Sequence, residues 1–349
     1  SMNKFLLTFL CTTLLPTSLL ADKKTEANDT LHTYDIEEVY VYDQPKETYR
    51  LSQQPLNSTT FSRLQLNSLN TQDLRQLSAF VPSFVMPEYG SRYTSSVYMR
   101  GIGSRVNSPA VGMYVDGMPI QSKSAFNFHT YDIDRVDVLH GPQGTLYGMN
   151  TEGGLIRLYS KNPFEYQGTD FKLSLGNKFW RKAEIGHYAK LNAKTGFAIS
   201  AFYDGQNGFF TNKYNGKHAD KYNEFGGKAQ LLWIPNSRLN FSFVADYQYV
   251  NQNGFPYGQI VTKEQIATAN ITSPYYGLEA GTQAPNQNRP SAYKRNILNT
   301  GANIKYNGNG FVLNFMTSWQ FLRDDMKMDN DYLPYDYLHL EQRQLQNSV

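Results

Sequence analysis

The second half of the chain is written in a period of two. Leu239, Phe241, Phe243, Ala245, Tyr247 and Tyr249 alternate with Asn240, Ser242, Asp246 and Gln248, which gives a strand one apolar and one wet face. The same alternation runs through Phe171/Leu173/Leu175, Phe197/Ile199/Ala201/Tyr203, Phe225/Ala229/Leu231/Trp233 and Phe311/Leu313/Phe315/Trp319/Phe321. Weaker strands near 183–191 and 297–306 bring the expected number to about seven. Alternate connections are short, at 192–196, 235–238 and 307–310, whereas 205–222 and 251–294 are long, polar and rich in Asn, Gly and Tyr. That sorting suits a membrane barrel with short periplasmic turns and long outer loops. The short turn at 177–181 is the exception.

Before residue 166 the pattern is mixed. A helix is expected over 71–79, ending at Val81-Pro82. Strand chemistry surrounds it at 97–100, 111–115, 136–139 and 155–159, punctuated by Gly, Pro and Asp-Gly. A small α+β domain over 46–165 follows, and the whole chain reads as mainly β. At the other end, Lys4, the apolar run 5–15 and Leu19-Leu20-Ala21 read as a signal peptide over 1–21. Residues 22–45 form a polar lead-in that closes on Ile36-Glu37-Glu38-Val39-Tyr40-Val41-Tyr42-Asp43. This is either an ordinary edge strand or one that docks onto a partner's sheet edge.

Composition narrows the class. The 349 residues include 26 Tyr and 21 Phe, and aromatics make up 14%. No apolar run after residue 21 reaches the roughly 20 residues of a membrane helix. The net charge of +3 is spread out, with no Lys/Arg block to neutralise a phosphate backbone, so nucleic acid is not an expected partner. The one Cys, Cys11, lies inside the signal, which leaves no thiol for disulfides or metal. The six His are scattered without ligand spacing. No catalytic triad, phosphate cradle or carboxylate pair stands out, so an enzyme, a cofactor and a metal centre are not expected.

The segments MRGIGSR at 99–105, VGMYVDGMPI at 111–120 and IDRVDVLHGPQGTLYGMNTEGGLIRLYSK at 133–161 resemble the plug domain of TonB-dependent receptors. Order, spacing and content match. The departures are His140 where Arg is commoner, Met149, and Thr151-Glu152, and none breaks the glycine frame. The resemblance implies a plug carrying the motif residues Arg100, Gly101, Gly103, Arg105, Asp116, Gly117, Gly141, Pro142, Gly144, Tyr147, Gly148, Gly153 and Gly154, with Arg100 and Arg105 helping to lock plug to wall. It places a TonB box at Glu38, Val39, Tyr40, Val41 and Tyr42, to pair with TonB and its ExbB/ExbD complex in the periplasm. It implies an importer in the lipid of a Gram-negative outer membrane. The cargo would be a scarce nutrient complex, with iron-siderophore the first expectation and haem, cobalamin or oligosaccharide behind it. Plug-tip ligand candidates are Tyr89, Arg92, Tyr93, Asn107, Ser108, Ser122 and Lys123, joined by the outer loop 251–294. A passive porin or surface-binding protein is the alternative.

Plugged importers close at about 22 strands. Two open edges in lipid would leave about ten unpaired backbone groups at several kcal/mol each, beyond what a domain's stability absorbs. The expectation is therefore a signal, coupling strand, plug and the first part of a barrel, belonging to a longer protein and unable to transport alone.

Overall fold

The computed structural model describes residues 57–91, 96–104, 109–147, 150–289 and 291–349. The first strand, β1 (Ser58–Ser62), runs directly into helix α1 (Arg63–Leu69). Ser62 and Gln65 cap it reciprocally, each accepting the other's backbone N–H. The sequence pattern does not show this helix, because Leu66 is its one buried side chain and a single residue makes no stripe. Helix α2 (Leu74–Ser78) is shorter than the 71–79 expected, since Asp73 caps it and takes the extended conformation.

Next come β2 (Phe84–Val85), β3 (Tyr98–Met99), β4 (Ile102–Gly103), β5 (Val111–Val115) and β6 (Met118–Pro119). The expected strand at 97–100 is cut to two residues because Arg100 and Gly101 turn the chain with φ of 51° and 79°. Asp116 and Gly117 carry φ of 51° and 82°, the pair of positive values that a two-residue hairpin turn requires. β7 (Ile133–His140), helix α3 (Gly144–Tyr147) and β8 (Gly154–Ser160) complete the domain. Its main sheet has the order β1-β7-β8-β5-β6, with only β5 and β8 parallel. Leu74, Leu77, Met99, Val111, Val136, Val138, Ile156 and Leu158 form its core.

The large sheet begins at β9 (Gly168–Gly176) and continues through β10 (Trp180–Asn192), β11 (Thr195–Gln206), β12 (Tyr222–Asn236) and β13 (Leu239–Gln252). A loop with the small pair β14 (Ile260–Val261) and β15 (Gly281–Thr282) and helix α4 (Lys263–Ala267) intervenes before β16 (Ala292–Asn307), β17 (Val312–Asp329) and β18 (His339–Ser348). The eight long strands form one antiparallel meander, one more than expected. β18 escapes sequence reading because His339–Ser348 is polar on both faces. Among the described residues no helix is long and apolar enough to cross a membrane.

The alternation has the polarity of an inverted protein. Phe171, Leu175, Trp233, Phe243 and Phe315 point out and are exposed, while Lys182, Asp204, Glu224, Lys228, Asp246 and Arg295 point in and are buried. On β17 the outward apolar series from Leu313 ends at Phe321. Above it stand Arg323, Asp325 and Lys327, the last paired with Glu341 at 2.9 Å. Rings collect at both borders of this belt: Trp233 stacks on Phe241 near the short turns, and Phe225 meets Tyr249 at the opposite end. An outward apolar belt between aromatic girdles fits a bilayer.

Candidate functional site: the seam between plug and wall

The small domain fills the concave, polar side of the large sheet, and the contact centres on residues 127–132. Their backbone is tied to the start of α2: Leu74 donates to the Phe128 carbonyl at 3.1 Å, Thr130 donates to the Gln72 carbonyl at 3.1 Å, and Arg75 N–H donates to Asn127 at 3.2 Å. With the backbone held, the side chains reach the wall. His129 Nε2 lies 2.6 Å from Glu224 of β12 and its ring packs on Phe202 of β11. The Tyr131 hydroxyl donates to Asp246 of β13 at 2.7 Å. Asp132, in a left-handed turn at φ 59°, pairs with Lys228 of β12 at 2.9 Å and accepts from Tyr188 of β10.

Further contacts lie on either side. Lys182 donates to Gln72 at 2.5 Å, Arg295 to the Ser124 carbonyl, and Ser122 N–H to Gln320 at 3.2 Å. Each charged group in the Lys228–Asp132 pair is within a few per cent of complete burial. Buried pairs are strongly destabilised when one partner is removed, because the remaining charge is stranded. Near β9 and β10 the seam widens into a cavity of about 590 Å³, lined by groups such as Asn70, Asp132, Lys161, Asp170 and Glu184.

Several expected motif residues shape the plug itself. Arg100 is exposed, with its guanidinium beside Gly141; contacts to the wall come from residues of 127–132. Gly103 leaves room for the Val97 carbonyl, which a Cβ would meet at 2.5 Å. Gly141 and Pro142 turn the chain after β7, and Gly141 N–H donates to the Gly153 carbonyl at 3.1 Å. Gly144 starts α3, and Gly154 opens β8 where a Cβ would strike Met99 and the Leu139 carbonyl. Tyr147 is buried and its hydroxyl accepts from Arg157 at 2.9 Å. Arg157 also pairs with Asp137 at 3.1 Å. Burial pushes the Asp137 carboxyl above its ordinary value and the Arg157 guanidinium below its own, so the pair offsets a shared desolvation cost.

At the loop side, Tyr89 is half-buried and Gly90 sits at φ 76°, where a Cβ would lie 2.4 Å from Phe255. Phe255 N–H donates to the Gly90 carbonyl, and Ser91 donates to Gln252 at 3.3 Å, so this tip is tied to the long loop. Ser122 is a correction. It is buried against β16 and β17 and faces the wall, because 122–127 packs inward between the core and the sheet. Lys123 falls in a 3-10 turn, Lys123–Ala125. The loops form an open groove of about 720 Å³, lined by Phe209, Phe210, Lys213, Tyr257 and Ile260 among others. Arg105, Gly148, Arg92, Tyr93, Asn107, Ser108 and the TonB-box residues Glu38 to Tyr42 lie outside the described residues.

Sequence reasoning missed the seam. Its signal was present in the charged residues Lys182, Glu224, Lys228 and Asp246 on the wet face of otherwise apolar strands, opposite a plug segment bearing His129 and Asp132.

Residues 50–155 match the model of the TonB-dependent Receptor Plug Domain. The pesticin receptor of Yersinia pestis is 33% identical over 110 residues, covering 31% of this chain and 16% of that receptor. The ferric yersiniabactin uptake receptor FyuA of the same organism superposes with a TM-score of 0.69 at 19% identity, over 84% of this chain and 44% of its own. Residues 50–155 thus carry a TonB-dependent receptor plug domain. The vitamin B12 transporter BtuB of Vibrio vulnificus is 26% identical over 280 residues, 71% of this chain and 44% of the transporter. The chain spans less than half the length of these relatives.

Proposed function

We propose that the protein containing this chain is an energised importer of a scarce metal-chelate nutrient, with a ferric siderophore the first candidate, in the outer membrane of a Gram-negative cell. The carrying observation is the seam: a domain held by buried ionic and hydrogen-bonded contacts inside a wall that is apolar outside and charged inside. A lumen so filled does not conduct passively. Cargo passes only if the plug moves, and breaking buried pairs needs work from outside the membrane. The segment 36–43 receives that work by pairing with TonB, driven by ExbB and ExbD, and residues 1–21 direct export. The cargo is carried without chemical change, so no catalytic group is needed. Relatives that handle ferric yersiniabactin and vitamin B12 support a metal chelate as cargo. The aromatic groove in the outer loops supports a first capture there.

The test is uptake of labelled ferric siderophores and cobalamin by cells carrying the intact gene or a deletion of residues 36–43. Binding at the surface should survive the deletion and accumulation should fall to background. Accumulation that survives, or that persists without a proton gradient, would overturn the reading.

A further inference from the structure

We propose that His129, Asp204 and Glu224 form a buried three-ligand site, with a water as fourth ligand, for a zinc-class divalent cation that staples the plug to the barrel wall. One nitrogen and two carboxylate oxygens, one from each residue, all lie within 4.8 Å of one another. All three side chains are at most 1% exposed. The ligands come from both sides of the seam: His129 from the plug, Asp204 from β11 and Glu224 from β12.

The register supplies the electrostatic argument. Asp204 and Glu224 are direct cross-strand partners, and both point into the lumen. Like charges placed directly opposite are destabilising, and a cation between them turns that repulsion into coordination. His129 enters at the same point, 2.6 Å from Glu224. Zinc bonds imidazole and carboxylate at about 2.0–2.2 Å, which sets tetrahedral ligand atoms about 3.4 Å apart, so metal binding opens this pair by under about 1 Å and closes the wider pairs, which lie within 4.8 Å. Lys182 is the cross-strand neighbour of Asp204 on the other side, and its ammonium meets Glu184 at 2.6 Å.

The ligands are also aimed. Trp180 Nε1 and the Tyr222 hydroxyl donate to Asp204 Oδ1 at 2.9 and 3.2 Å. Phe202 packs against the His129 ring, with centroids 4.3 Å apart and planes tilted by 40°, and the His129 backbone is bridged to Asp73. Such outer partners fix a ligand's orientation before metal arrives. Imidazole with carboxylate and no thiolate suits zinc, manganese or ferrous iron. Complete burial marks the ion as structural and distinct from cargo in transit.

The experiment is metal analysis of the intact gene product purified from outer membranes in detergent, before and after chelator treatment, with Zn²⁺ and Mn²⁺ as added probes. Expected are about one tightly held ion per chain and a rise in the unfolding midpoint on adding Zn²⁺ after chelation, as binding to the folded state requires. His129→Gln and Glu224→Gln should lose both. Trp180→Phe, which leaves all three ligands, should weaken Zn²⁺ about 10–100-fold. Should the ligand variants fail to fold, the wild-type metal content and the Trp180→Phe affinity still decide. No retained metal together with no response of the midpoint to either ion would overturn the proposal and leave a hydrogen-bonded clasp. Metal content is read without transport, so failure here is separable from failure of the import reading.

Discussion

Asp132 holds two wall groups at once, the Lys228 ammonium and the Tyr188 hydroxyl, in a turn whose φ is 59°. Asp132→Ala should cost about 3–5 kcal/mol, as removal of one partner of a buried pair does. The added change Lys228→Met should return part of it, and chemical unfolding in detergent would show both. His140 makes a separate, pH-dependent contribution inside the plug, with Thr59 Oγ1 at 3.3 Å from its Nε2. Burial, reinforced by the Arg100 guanidinium, holds this imidazole below its ordinary value. The unfolded chain therefore takes up the proton first. Stability is fully present above the unfolded value of about 6.5 and is lost as pH falls from there through the folded value. His140→Gln should flatten that dependence, as read from the plug's unfolding midpoint between neutral and mildly acid pH.

At the scale of elements, one contact ties the plug to an outer loop, and the outward face of the wall carries a separate test. The tip at Gly90 is joined to the outer loop through Phe255. Gly90→Ala would place a methyl 2.4 Å from that ring in a left-handed conformation that favours glycine. It should free the loop, seen as faster amide exchange at 253–258 without a change at β7 or β8. The strands carry the opposite test. Phe243 faces outward on β13 and is 48% exposed. Phe243→Arg should destabilise the wall by about 2–4 kcal/mol when lipid covers that face. A near-neutral outcome in folded, bilayer-inserted protein would mean that the belt is not lipid-facing.

For the molecule as a whole, plug and wall share one core as well as one seam: Ile297 and Leu322 of the wall belong to the same apolar cluster as Leu74 and Val138 of the plug. Movement of the plug therefore exposes apolar surface as well as charge. This favours partial remodelling around 127–132 over expulsion of an intact domain. On the proposed import reading the seam should open stepwise under force applied at the N-terminal end, with cross-links between 129 and 224, and cross-links that pin 127–132 to α2, both blocking accumulation.

The period of two made the wall legible, because each strand face meets a different solvent and the sequence must record both. The glycine and Asp-Gly positions made the plug legible, because positive φ and close backbone approach admit few residues, as at Gly117 and Gly154. What remained hidden had weak local signatures: α1 buries one side chain, and β18 is polar on both faces. The sequence by itself therefore determined the two domains, the strand phase and the turn chemistry, all consequences of local sterics and of which solvent each residue faces. Only the tertiary structure decided which charges meet. His129 and Asp132 lie far along the chain from Glu224 and Lys228, 95 residues in the case of His129 and Glu224, and their pairing follows from strand register and from the way residues 127–132 are pinned to α2.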